Sequence, residues 1–136
     1  MTMPALRIAL RCLGHRSVWL GIALLVLNDH VFKAAMPSWA TGKLSDFTGL
    51  YFFPYLLAAA LSLVLDRIGW PARRTGTLAF ALTAGLFSAA KATPWGNALV
   101  VDLLMRALAV RVSIVPDPTD LVALFALLPL ADQAQR

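Results

Sequence analysis

Glutamate is absent from this sequence, cysteine occurs once, histidine occurs twice, and charged side chains make up only 14% of its 136 residues. Each shortage excludes something. One cysteine, Cys12, forbids an intrachain disulfide, and Cys12, His15 and His30 together fall short of the four ligands of a structural zinc site. A water-soluble domain carries roughly a quarter charged residues, and a small one has much surface to cover with them. The chain does not supply that cover. Metalloprotease, P-loop and dinucleotide-binding signatures are all missing, as is the Gly-x-Ser-x-Gly nucleophile turn.

What is present is apolar: 60% of the residues are hydrophobic. The seven acidic residues are all Asp, and the twelve basic ones are nine Arg and three Lys. The net charge of +5 does not indicate nucleic acid, because the arginines stand in short clusters between apolar runs and are not interleaved with aromatics. They fit cytoplasmic anchors held by anionic lipid.

A crossing helix needs about 20 apolar residues. The pattern predicts an all-α, polytopic transmembrane helical bundle in one domain, 1–136, with spans at about 17–36, 46–65, 75–92 and 118–131. Arg7 and Arg11, four apart, predict an interfacial lead-in helix, and the first span reads as uncleaved. The segment PSWATGKLS reads as a turn-rich loop, and Pro54 sits where it would kink the second span. Small residues, including Gly76 and Gly85, suit close approach along the third span. TPWGN reads as a break before an interfacial helix at 98–112, in which Asp102 and Arg106 pair; a fifth crossing there is the rival reading. Asp117 as N-cap, Pro118 at the first helical position and Asp120 at the third mark the start of the last span.

Arg7, Arg11 and Arg16 precede the first span, and Arg67, Arg73 and Arg74 join the second to the third. The positive-inside rule therefore places the N-terminus in the cytoplasm, in a multi-pass protein of the bacterial inner membrane. That orientation gathers Asn28, Asp29, His30, Lys33, Lys43, Asp46, Lys91, Asp117 and Asp120 at the outer face. Charges at membrane depth are costly, pair up and mark functional sites. Asp29 with Lys33, Lys43 with Asp46, and Asp117 with Asp120 have the spacing to share a helix face. Each also has an ordinary explanation: Asp117 and Asp120 as helix-start residues, the lysines as side chains snorkelling to headgroups, and His30 as a polar interface residue. Trp39 and Trp95 suit interface anchors, and His15 the cytoplasmic surface.

The stretch WATGKLSDFTGLYFFPYLL at 39–57, with NDH upstream and DPTDL at 117–121, resembles a group of small bacterial integral membrane proteins. The resemblance implies a polytopic membrane protein and carries no activity with it. The Asp-bearing apolar helix at 46–65 is more loosely similar to VanZ-like membrane proteins, whose DK…H arrangement is not reproduced here.

These residues lead to three functional expectations. The first is an outer-face polar site that binds an anionic lipid, a small polar ligand or a divalent cation; Asp46, Asp117 and Asp120 are the metal candidates. No other cofactor is expected. In an enzyme, Asp46 or Asp120 would be the base and His30 its partner. The second is an accessory subunit of a membrane complex, or a homo-oligomer. The third is a small transporter or proton-conducting subunit. The bilayer is the expected partner in all three, and nucleic acid in none.

Overall fold

A computed structural model describes residues 2–36, 38–109, 111 and 113–127, with backbone alone at 39, 108 and 125–127. Every regular element among the described residues is helical. Helix α1 spans Pro4–Leu13 and α2 spans Arg16–Leu27; α2 runs on through a π turn, Asn28–Phe32, into the short α3, Lys33–Ala35. Helix α4 covers Trp39–Leu65, α5 covers Ala72–Ala92, and α6 covers Pro94–Leu108; a 3-10 helix follows at Pro118–Leu127. These residues form two compact units, one of 2–83 with 123–127 and the other of 84–122.

In the first unit, α1 and α2 lie end to end along α4, running against it. Three contacts show the direction. The Asp66 carboxylate accepts from the amides of Ala5 and Leu6 at 3.3 and 3.1 Å, Tyr51 donates to Ser17 Oγ at 2.8 Å, and Asn28 Nδ2 donates to the Thr41 carbonyl at 2.8 Å. Residue numbers rise on one side as they fall on the other. Alanine makes this closeness possible: Ala9, Ala58 and Ala79 pack together, flanked by Leu57, Ala59 and Leu61. Tyr55 meets Phe80 edge to face at 5.9 Å in the same unit. Between α4 and α5 the chain turns on Gly69, whose φ of 72° brings the Trp70 amide back to the Leu65 carbonyl at 3.0 Å.

Several expectations change. Helix α1, expected as an interfacial lead-in, is docked on α4 through Ala5 and Ala9, with Arg7 and Arg11 outward. Most of PSWATGKLS is helix rather than loop. Ser38 Oγ accepts from the Thr41 amide at 3.3 Å, and Thr41 Oγ1 accepts from the Ser38 amide at 3.1 Å. This reciprocal cap starts α4 at Trp39, seven residues before the expected 46. The break at TPWGN is shorter than expected: Thr93 alone separates α5 from α6, capping α6, and Pro94 takes the first helical position. Gly76 and Gly85 are not close-approach points, since a Cβ on either meets nothing within 4 Å among the described residues.

Two helices, Arg16–Ala35 and Ala40–Leu65, are long and apolar enough to cross a membrane. Helix α5 has 21 residues but includes Arg73, Arg74 and Lys91. Helix α6 has 15 residues and ends at Ala109 with a left-handed φ of 53°. At about 22 Å it is shorter than the roughly 30 Å hydrocarbon core. The expected stretch 128–131 of the last span lies outside the described residues, as do positions 110 and 112 and the Trp39 side chain.

The Asp66 contact predicts a local effect. Asp66→Ala removes the acceptor for two otherwise unpaired helix-start amides, at a cost of about 0.5–2 kcal/mol. Amide exchange across 4–13 is expected to speed up by about two- to thirtyfold, while Asp66→Asn, which keeps one acceptor oxygen but turns an NH2 toward the other amide, restores only part of the protection. Unchanged exchange in Asp66→Ala would show that the alanine packing alone holds α1.

Candidate functional site

Some of the site residues expected from the sequence meet one another within each unit. In the first unit the cluster forms where α2 gives way to the π turn. Consecutive residues of an α-helix point about 100° apart, but the wider π turn reduces that angle. Asn28 and Asp29 consequently both reach α4. Asn28 Nδ2 donates to the Thr41 carbonyl and to Ser45 Oγ, each at 2.8 Å, and Ser45 Oγ donates to Asp29 Oδ1 at 2.5 Å. Lys33, four residues on, places Nζ 2.8 Å from the same Asp29 oxygen, and this ion pair is about 40% exposed. Asn28 has no exposed surface, and its Oδ1 has no hydrogen-bond partner. Thr41 offers an oxygen to the other end of the amide, so swapping the amide N and O would set two acceptors against each other. The orientation is therefore determined by chemistry.

His30 is not part of this cluster. Its Nδ1 lies 3.0 Å from the Val26 carbonyl, on its own helix and exposed. Lys43 and Asp46 are both on α4, three residues apart, with Lys43 buried.

In the second unit Lys91 and Asp120 form a buried ion pair at 2.8 Å, with side-chain exposures of 6% and 9%. Lys91 does not extend toward headgroups. Its ammonium also lies 5.9 Å from the centre of the Phe87 ring. Asp117 is the N-cap of the 3-10 helix: its Oδ1 accepts from the Thr119 amide at 3.0 Å and from Thr119 Oγ1 at 2.7 Å. Asp102 and Arg106 pair at 3.0 Å on the exposed face of α6.

The chain matches no family model, no curated protein and no solved structure. Chemistry must therefore be read from the geometry. Among the described residues no three His, Cys, Asp or Glu side chains converge to hold a metal. The expected metal candidates are also divided, with Asp46 in the first unit and Asp117 and Asp120 in the second.

Four polar residues that matter here escaped the sequence reading. Thr41 and Ser45 sat inside a presumed loop, where nothing marked them as partners of Asn28. Asp66 follows an apolar run, and nothing local in it points to a distant partner. Asn97, which donates to the carbonyls of Ala90 and Ile114 at 2.9 and 2.8 Å, was hidden in a presumed break. The Thr-Pro pair just upstream was the signal that this break begins a helix.

Proposed function

We propose that this chain is a multi-pass helical protein of the bacterial inner membrane, cytoplasmic at its N-terminus, that binds a small polar ligand at the outer end of its first two crossings. Helices α2 to α4 provide those crossings, α5 the third, and the segment from Pro118 the start of the fourth. The observation that carries the ligand reading is the fully buried, unpartnered Asn28 Oδ1 beside Asp29, Lys33 and Ser45. A buried acceptor left unmade costs about 1–3 kcal/mol, and such an atom commonly marks an ion, a water or a ligand. The membrane reading draws support from exposure as well as composition. Only 11% of the apolar window at Arg16–Ala35 and 28% of that at Ala40–Leu65 is buried within the protein. Trp19, Leu20, Val26, Leu63 and Val64 stand outward, where lipid suits them better than water.

Impermeant thiol labelling of intact cells tests the placement, using single cysteines in a Cys12→Ser background. Met36→Cys, Trp95→Cys, Val115→Cys and Ile68→Cys all fall on exposed side chains. The proposal expects labelling at 36, 95 and 115 and protection at 68. Equal labelling at 36 and 68 would remove the crossing by α4 and with it the outer-face site. Protection at 115 alone would overturn the four-crossing order.

A second reading is an accessory subunit, in which polar contacts fix the helix register. Asp66, Asn97 and the Lys91–Asp120 pair all act to fasten one segment to another. Purification in mild detergent as a lone monomer would count against it.

A further inference from the structure

We infer that the end of the first unit where α4 turns into α5 is a docking surface for anionic phospholipid. Arg7, Arg67, Arg73 and Arg74 take the phosphodiester headgroup, and an acyl chain lies along the outward side of α4 at Leu63 and Val64. This rests on the membrane reading above and is independent of the ligand at Asn28. The sequence carries these arginines in separate clusters, and the fold collects them. Ala58 of α4 and Ala79 of α5 pack together, each about two turns from the short link between the helices, so α4 and α5 form a hairpin. Asp66 ties α1 to the same end through the amides of Ala5 and Leu6, at 3.3 and 3.1 Å. Arg7 directly follows Leu6, Arg67 directly follows Asp66, and Arg73 and Arg74 stand in the first turn of α5.

Charge at this end is one-sided. No acidic residue precedes Asp29, and Asp66 is the only one between Asp46 and Asp102. Asp66 is buried, and both its oxygens are engaged by the amides of α1. The four arginines are exposed, and none is paired with a carboxylate among the described residues. Arg74 lies over the Trp70 ring at 6.0 Å, a contact that uses the face of the guanidinium and none of its N–H donors. Like charges gathered in this way repel one another unless an anion sits among them. Arginine suits a phosphodiester, because its planar fork can donate two parallel hydrogen bonds to the phosphate oxygens. The apolar neighbours then select lipid among the anions. Leu63 and Val64 stand outward on the last turn of α4, and Ile68 and Trp70 are exposed in the link. Exposed apolar and basic side chains side by side fit the boundary between acyl chains and headgroups. A nucleic acid or an acidic peptide would meet the arginines and leave that apolar surface in water.

The test uses the purified full-length protein in a neutral detergent and reads its thermal midpoint as dioleoylphosphatidylglycerol, dioleoylphosphatidylcholine or free glycerol phosphate is added. Phosphatidylglycerol is expected to raise the midpoint with the logarithm of its concentration, as binding to the folded state requires, and less so at high salt. Phosphatidylcholine has a much smaller effect, and glycerol phosphate, with no acyl chain to hold it, has none. Arg67→Gln and Arg73→Gln, both changes of exposed side chains, each raise the half-effective concentration of phosphatidylglycerol by about fivefold, the contribution of one arginine at an anionic surface. Arg106→Gln leaves it unchanged, because that arginine is exposed but already paired with Asp102 at 3.0 Å. Equal responses to the two lipids, or Arg67→Gln and Arg73→Gln proteins that respond like the parent, would overturn the inference and leave the membrane reading standing. A response to glycerol phosphate matching that to the lipid would overturn it in favour of a soluble phosphate ligand. Failure of the parent protein to associate with vesicles of either lipid after detergent removal would overturn both.

Discussion

Replacing Lys91 by Met is expected to destabilise the second unit by about 3–5 kcal/mol, because it leaves the Asp120 carboxylate buried without its counter-ion at 2.8 Å. Asp120→Leu should cost a similar amount from the other side. The double variant, Lys91→Met with Asp120→Leu, is expected to recover much of the loss. With both charges gone no desolvation penalty remains, and apolar side chains of similar volume can fill the space. For the double variant to be more stable than either single one, the cycle must show a coupling that exceeds the larger single loss, about 3–5 kcal/mol or more. Unfolding midpoints of the four proteins in one detergent supply the measurement. Strict additivity would mean that the two charges act independently despite their closeness.

This pair also shows where sequence reading succeeds and where it stops. Lys91 and Asp120 were both recognisable as charges out of place in an apolar chain. Composition and run length exposed them, just as they exposed the helical class and the two long apolar helices. Spacing identified Asp29 with Lys33 and Asp102 with Arg106, because i to i+4 geometry is a property of one helix and needs no knowledge of the fold. The N-cap role of Asp117 was legible for the same reason.

Contacts between distant segments were not legible. Nothing local in Asp66 announces two amides some 60 residues earlier in the chain, and nothing in Ser45 announces Asn28. The π turn was hidden too, since nothing in the residues Asn28–Phe32 distinguishes a π turn from an α turn. The errors at the starts of α4 and α6 are of another kind. There the caps, Ser38 with Thr41 and Thr93 with Pro94, were written in the sequence, but polar and glycine-containing surroundings suggested loop. Capping is a stronger local rule than polarity, since it satisfies specific backbone donors.

Gly96 gives the second large effect, and here two rules predict opposite signs. Gly96 lies in the first turn of α6, and helix propensity alone says that alanine should stabilise it by up to about 1 kcal/mol. The packing says otherwise. A Cβ at this position would overlap the Ala89 carbonyl group and crowd Thr93 Oγ1. The Ala89 atoms are backbone and cannot rotate aside. Thr93 Oγ1 is already accepting from the Gly96 amide at 3.0 Å, so pushing it away also loosens the cap. The α5 to α6 elbow must open to admit the methyl group, and opening it strains the Asn97 hydrogen bonds to Ala90 and Ile114. Overpacking costs about 1–3 kcal/mol and the cap about 1 more, which outweighs the propensity gain. Gly96→Ala should therefore lower the unfolding midpoint clearly, whereas Gly85→Ala, where a Cβ meets open space in the same unit, should leave it unchanged or raise it. Equal behaviour of the two variants would mean that the elbow opens without cost.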